Sequence, residues 1–165
     1  MKVASPVTDR TARLIHQLEE ALLLGNSHVS FEDAVAAIPD SHVGEIPRGL
    51  PYSIWQLAEH IRLTQWDILG FCRDPQHKSP AWPQGYWPKN KAPETARDFS
   101  RSVEQALADR QAFIGLLHAA GDEIYTPFPY GDGQDLLREA ILLIDHTSYH
   151  VGEMIVLRRL LGDWK

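Results

Sequence analysis

The stretch from Gln134 to Leu161 constrains this chain more than any other. It reads as one long helix, apolar around most of its circumference, with His146 and His150 one turn apart inside it. At about 100° per residue, Leu142, Leu143, His146, His150, Met154, Leu157 and Leu161 fall on one stripe. Leu137, Ile141, Ile144, Val151 and Ile155 form a second stripe beside it. A helix apolar on most sides is buried on most sides, so it is either the central helix of a bundle or partly a subunit interface. Imidazoles at i and i+4 share a face and can point at one ion. Neutral imidazole is also the commonest transition-metal ligand. A polar ring on a core-facing stripe needs a partner in any case. The plainer alternative is therefore a pair of hydrogen-bonded core histidines.

Three further helical patterns stand before it, and no strand pattern does. The first helix runs from about Thr8 to Leu24, on a stripe of Leu14, Leu18, Ala21 and Leu22, and stops at Gly25-Asn26. A short amphipathic piece, Phe31 to Ile38, has Ser30 as its cap and Pro39 as its stop. Asp40 to Leu50 reads as loop. The second helix opens at Pro51-Tyr52-Ser53, where Ser53 with Gln56 makes a capping box, and ends before Asp74-Pro75. Five prolines follow (Pro75, Pro80, Pro83, Pro88 and Pro93) together with Trp82, Tyr86 and Trp87. Proline this dense forbids a helix. The segment suits a long crossover between helices that are not antiparallel neighbours, with its aromatics covering one end of the core in preference to forming a lid; Trp82 and Trp87 are also candidates for a subunit contact or for the wall of a site. The third helix, from Pro93-Glu94 to Ala120-Gly121, has Phe99, Val103, Leu107, Ile114 and Leu117 on one stripe. Four long helices predict an all-α four-helix bundle, in a single domain spanning residues 1–165.

Composition narrows the function classes. No apolar run reaches the ~18 residues of a membrane span, and Met1 to Arg10 has no apolar core of a secretory signal. Cys72 is the only cysteine, which excludes an internal disulfide and a CxxC zinc knuckle and makes a reducing cytoplasm the expected compartment. The net charge is −6, and no basic run interleaves with aromatics. Neither a membrane nor a nucleic acid is expected as a partner, since phosphate neutralisation needs clustered Lys and Arg.

Bundles build metal sites from side chains on facing helices. Beyond His146 and His150, a third ligand must come from His16, His28, His42, His60, His77 or His118. His28, His42 and His77 lie in loops, His118 is near a helix end, and His16 faces solvent. His60, mid-helix beside Leu57, Ile61 and Thr64, is the best third ligand. Three histidines leave an open position, the signature of a catalytic metal site. Thr147 after His146 rules out HExxH, and paired Glu-x-x-His motifs of di-iron bundles are missing. Asp145, Glu59 and Glu153 are candidates to orient a ligand ring, Glu153 being best placed and also the one candidate catalytic residue. Cys72 reads as a packed residue, not a ligand.

Asp145-His146-Thr147-Ser148-Tyr149-His150-Val151-Gly152-Glu153, running on to Arg158-Arg159-Leu160-Leu161-Gly162-Asp163-Trp164, resembles the last helix of the DinB-like (DinB/YfiT) metalloenzyme superfamily. Ser53-Ile54-Trp55-Gln56-Leu57-Ala58-Glu59-His60-Ile61 resembles its second helix. The resemblance implies an up-down-down-up four-helix bundle and a divalent metal, zinc or nickel, held by His60, His146 and His150. It also implies a homodimer and a small-molecule substrate. Some relatives use low-molecular-weight thiols, as S-transferases or isomerases. Two readings follow. One is a metal-dependent enzyme, a hydrolase or a thiol S-transferase acting on an electrophile, with Arg62, Arg110 and Arg158 as candidate cations for the thiol. The other is a non-catalytic bundle, a binding or stress-response protein whose metal is absent or structural.

Overall fold

The computed structural model describes residues 6–165, with side chains from Arg10 onward; Met1 to Ser5, part of the segment read above for a signal, lie outside the described residues. Among the described residues there are six α-helices and no strand: α1 (Pro6–Leu24), α2 (Phe31–Val35), α3 (Asp40–Val43), α4 (Ile54–Arg73), α5 (Ala96–Ala120) and α6 (Leu136–Leu161). The protein is all-α, as the periodicity predicts.

Local chemistry sets most boundaries. Ser53 Oγ accepts from the Gln56 amide while the Gln56 side chain accepts from the Ser53 amide, so the predicted capping box starts α4. A second box, Thr95 with Asp98, starts α5 at Ala96, later than the expected Pro93-Glu94. Asp135 caps α6, and Gly162 closes it in the left-handed region at φ +80°. The short amphipathic piece ends at Val35, not Ile38, because Ala37 turns to φ +52°. The loop expected over Asp40 to Leu50 contains the one-turn α3.

Two clusters fill the interior. One joins Ile15, Leu18 and Leu22 of α1, Ile68 and Leu69 of α4, Phe113, Ile114 and Leu117 of α5, and Ala140 and Leu143 of α6. The other joins Phe31 and Ala34 of α2 to Ile54, Leu57 and Ile61 of α4, Ala106 of α5, and Val151, Met154 and Leu157 of α6. The first half of α4 thus meets the second half of α6, and the second half of α4 meets the first half of α6. Ser102 Oγ of α5 donates to Glu59 of α4 at 2.6 Å, and His118 near the end of α5 pairs with Glu19 of α1 at 2.9 Å.

The second stripe of α6 is settled within one chain at two of its positions. Val151 is 3 % exposed and Ile155 7 %. Neither needs a partner subunit to leave water. Ile141 of the same stripe stays exposed, as do Tyr149, Val156 and Leu160 outside it.

Between α4 and α5 the chain runs through residues 74–95 without an α-helix; Gln84–Tyr86 makes one 3₁₀ turn. This segment is fastened along α4. Ser53 Oγ donates to the Lys91 carbonyl at 2.5 Å, His77 Nε2 reaches Asp67 Oδ1 at 2.7 Å, and the Tyr86 hydroxyl donates to Asp67 Oδ2 at 2.5 Å.

Candidate metal centre

The buried faces of α4 and α6 bring His60, His146 and His150 together. One nitrogen from each ring lies within 4.8 Å of the other two. A common point therefore lies no more than ~2.8 Å from each, against ~2.0–2.1 Å for a Zn–N bond. His60 Nε2 and His146 Nε2 are 3.0 Å apart. Two ligand nitrogens on a tetrahedral ion sit ~3.4 Å apart, so one ion is admitted when this pair opens slightly and the His150 ring moves in. His60 is 2 % exposed and His150 8 %; His146 is half-buried.

The outer nitrogens decide the tautomers. A carbonyl only accepts, so His60 Nδ1–H donates to the Tyr86 carbonyl at 2.8 Å, which leaves the Nε2 lone pair facing the cluster. His150 Nδ1–H donates to Glu153 Oε2 at 2.7 Å with the same result. His146 Nδ1 is buried without a hydrogen-bond partner. Inward lone pairs on two fixed rings, and a third ring with no partner outside the cluster, suit a divalent cation chemically.

Electrostatics points the same way. Burial pushes the His146 imidazole down to about 3, helped by His150 and His60. Burial also lowers His60, partly opposed by its bond to the Tyr86 carbonyl. Both rings are neutral at pH 7, the form that ligates.

The surroundings are aromatic. The Trp87 ring stacks on His60 at 3.9 Å between centroids and 6° between planes, and Tyr52 stacks on Trp87 at 5.9 Å. Tyr149 meets His150 edge-on at 5.0 Å. The Tyr52 hydroxyl donates to Glu153 Oε1. Burial and that carboxylate hold its phenol above the usual range. Both Glu153 oxygens are therefore occupied, which suits a residue that orients His150 and not one that shuttles protons.

The remaining histidines have partners elsewhere. His16 faces Glu20 at the surface, His28 contacts Ser148, His42 Asp163, His77 Asp67 and His118 Glu19. Glu59 is held by Arg62 and Ser102, and Asp145 is exposed. The Cys72 thiol is half-buried, and burial raises it to about 12. The three candidate cations are likewise engaged: Arg62 by Glu59, Arg110 by Glu32, Arg158 by Asp163. A cavity of about 500 Å³ lies between α4, α5 and the crossover, lined by Trp55, Glu59, Arg62 and Ser102 among others, but by none of the three clustered histidines.

Sequence reasoning did not find Tyr86 and Tyr52 as parts of this site, and offered Trp87 only as a residue of the site wall or of a subunit contact. The crossover aromatics were read as covering the core. Their stack on His60 has only a weak signal in composition, and a backbone carbonyl acting on His60 has none.

Among family models, that of the DinB superfamily matches residues 23–154. No curated protein and no solved structure matches the chain. The matched span runs from the end of α1 to Met154 and takes in all three clustered histidines together with Glu153. It covers four-fifths of the sequence, and with this all-helical architecture it settles the family: the chain belongs to the DinB superfamily.

Proposed function

We propose that His60, His146 and His150 hold one divalent transition ion, zinc or nickel, with a position left for a small-molecule substrate. The observation that carries the reading is the convergence of three ring nitrogens within 4.8 Å, with the outer nitrogens of His60 and His150 tied to oxygen acceptors. When bound, such an ion supplies Lewis acidity that lowers the pKa of a thiol or water in its open position. Glu153 fixes the tautomer of His150, the Tyr86 carbonyl fixes that of His60, and the stacked Trp87 and Tyr52 limit water at the His60 face.

The reaction class we favour is transfer of a low-molecular-weight thiol to an electrophile. The thiol loses its proton to solvent, its sulfur forms a bond to the electrophilic carbon, and the bond from that carbon to the leaving group breaks, the leaving group departing with the electron pair and taking up a proton from water. Because Arg62, Arg110 and Arg158 are paired with carboxylates, recognition of the thiol rests on the metal and the aromatic wall. The test has two stages. Elemental analysis of the purified protein should find close to one zinc or nickel per chain. The loaded protein is then incubated with thiol cofactors and electrophiles, and mass spectrometry should find the S-conjugate. Metal-free protein that takes up no ion on titration would refute the metal reading.

The same reading places the four long helices in an up-down-down-up bundle forming a single domain. The helix pairings support it: α4 and α5 match first half to first half, α4 with α6 matches end to opposite end, and α1 runs against α5, its Thr11 sharing a hollow with His118 and its Leu22 another with Arg110. No described helix is long and apolar enough to cross a membrane. The lone cysteine favours a reducing cytoplasm as the site of action. We also favour a homodimer, now through the exposed Tyr149, Val156 and Leu160 stripe of α6 in place of Val151 and Ile155. Sedimentation equilibrium should return twice the 18.7 kDa chain mass; a single-chain mass at micromolar concentration would exclude that dimer.

A further inference from the structure

We propose that Asp67 is a positioning residue for the histidine centre, acting through Tyr86 on His60. This rests on the metal reading above. Asp67 is 8 % exposed and lies two turns after His60 on α4. One of its oxygens takes the Tyr86 hydroxyl at 2.5 Å and the other takes His77 Nε2 at 2.7 Å. Tyr86 is itself 8 % exposed and uses its two ends differently. Its side chain is tied to Asp67, while its backbone carbonyl receives the proton of His60 Nδ1 at 2.8 Å. The next residue, Trp87, lies flat on the His60 ring. One carboxylate thus fixes the part of the crossover that sets both the tautomer and the tilt of a candidate ligand.

The seat for this arrangement is built into α4. A Cβ on Gly70 would lie 2.4 Å from the His77 ring, so a residue with a side chain there would push His77 off Asp67. Glycine inside a helix is less favourable than alanine, and here it makes room for His77. A carbonyl acceptor left loose would let His60 exchange tautomers, and the Nδ1 form is the one that leaves Nε2 free to ligate.

The experiment uses the full chain with Tyr86→Phe and Asp67→Asn. Tyr86→Phe deletes only the hydroxyl and keeps the ring, so it serves if Asp67→Asn fails to fold. In the metal-free protein, ¹⁵N NMR of the imidazoles should show His60 as a single Nδ1–H tautomer in the parent and a mixture in Tyr86→Phe. Competition with a chromogenic chelator should show zinc binding weakened by about 10-fold, the scale of an outer-shell loss. A parent tautomer and parent zinc affinity in Tyr86→Phe would overturn the proposal, even if thermal stability fell. If the parent binds no zinc, the metal reading fails, and the tautomer measurement still decides the role of Asp67.

Discussion

His146→Ala is expected to cost the protein its metal while leaving the fold standing. His146 is the informative choice of the three. Replacing His60 would strip the Tyr86 carbonyl of its donor and Trp87 of one stacking partner, and replacing His150 would leave the Glu153 carboxylate with the Tyr52 hydroxyl alone. His146 has no outer partner to orphan. Loss of outer-shell partners alone costs 10–100-fold in metal affinity, so loss of a ligand should exceed ~100-fold. Zinc competition on the purified variant measures this; parent affinity would remove His146 from the ligand set. The same variant has a second signature in metal-free protein. The folded-state pKa of His146 is about 3, below the ~6.5 of an unfolded histidine, so the unfolded chain takes the proton first. Stability is therefore full above about pH 6.5 and declines as pH falls toward 3. Half-burial moderates the size, and the loss attributable to His146 between pH 7 and 4 should be on the order of 2 kcal/mol. Urea denaturation across that range should show a shallower decline in His146→Ala than in the parent; equal slopes would assign the acid lability elsewhere.

Arg158→Ala should be the costliest single change to stability outside the apolar core. Arg158 is 4 % exposed, and its Nη1 donates to the carbonyls of Ala34 and Ala36 at 2.9 Å. Its Nε donates to Asp163 at 3.0 Å, and its guanidinium lies 4.7 Å from the Trp164 ring centroid. One side chain thus ties the end of α2 and residues 163–164 to α6. Removing it leaves the Asp163 carboxylate with only His42 and leaves two carbonyls short of a donor. Breaking a buried pair in this way costs about 3–5 kcal/mol. Lysine cannot fork to the same acceptors, so Arg158→Lys should recover only part of that. Urea midpoints read the difference, and a loss under about 1 kcal/mol would mean that water replaces the guanidinium.

The same residue shows where sequence reasoning reached and where it stopped. Arg158 was a candidate cation for a thiol, and the structure makes it an anchor. Its charge and spacing were visible, but the α2 carbonyls it serves were not, because they exist only once α2 folds back on α6. His60, His146 and His150 were legible for the opposite reason. Each is fixed by helical periodicity, which the sequence carries directly. Helix starts with side-chain caps, such as Ser53 with Gln56, were equally open, whereas Thr95 with Asp98 was overlooked beside the more conspicuous Pro93. Backbone partners left no trace, and Tyr86 entered the site by its carbonyl. Val151 and Ile155 were assigned to a stripe left open between the chain's own helices and a partner subunit, since periodicity gives the face of a helix but not how many neighbours surround it.

The segment joining α4 to α5 is stitched to α4 near both ends, by Ser53 to Lys91 and by Asp67 to His77 and Tyr86. Its fit depends on a glycine, Gly70, that belongs to the helix and not to the loop. A loop with such debts is not a portable cassette. Grafting it between relatives, or shuffling it in a library, should yield well-formed centres only when α4 travels with it. In descent the two segments are then bound to change together, as one heritable block.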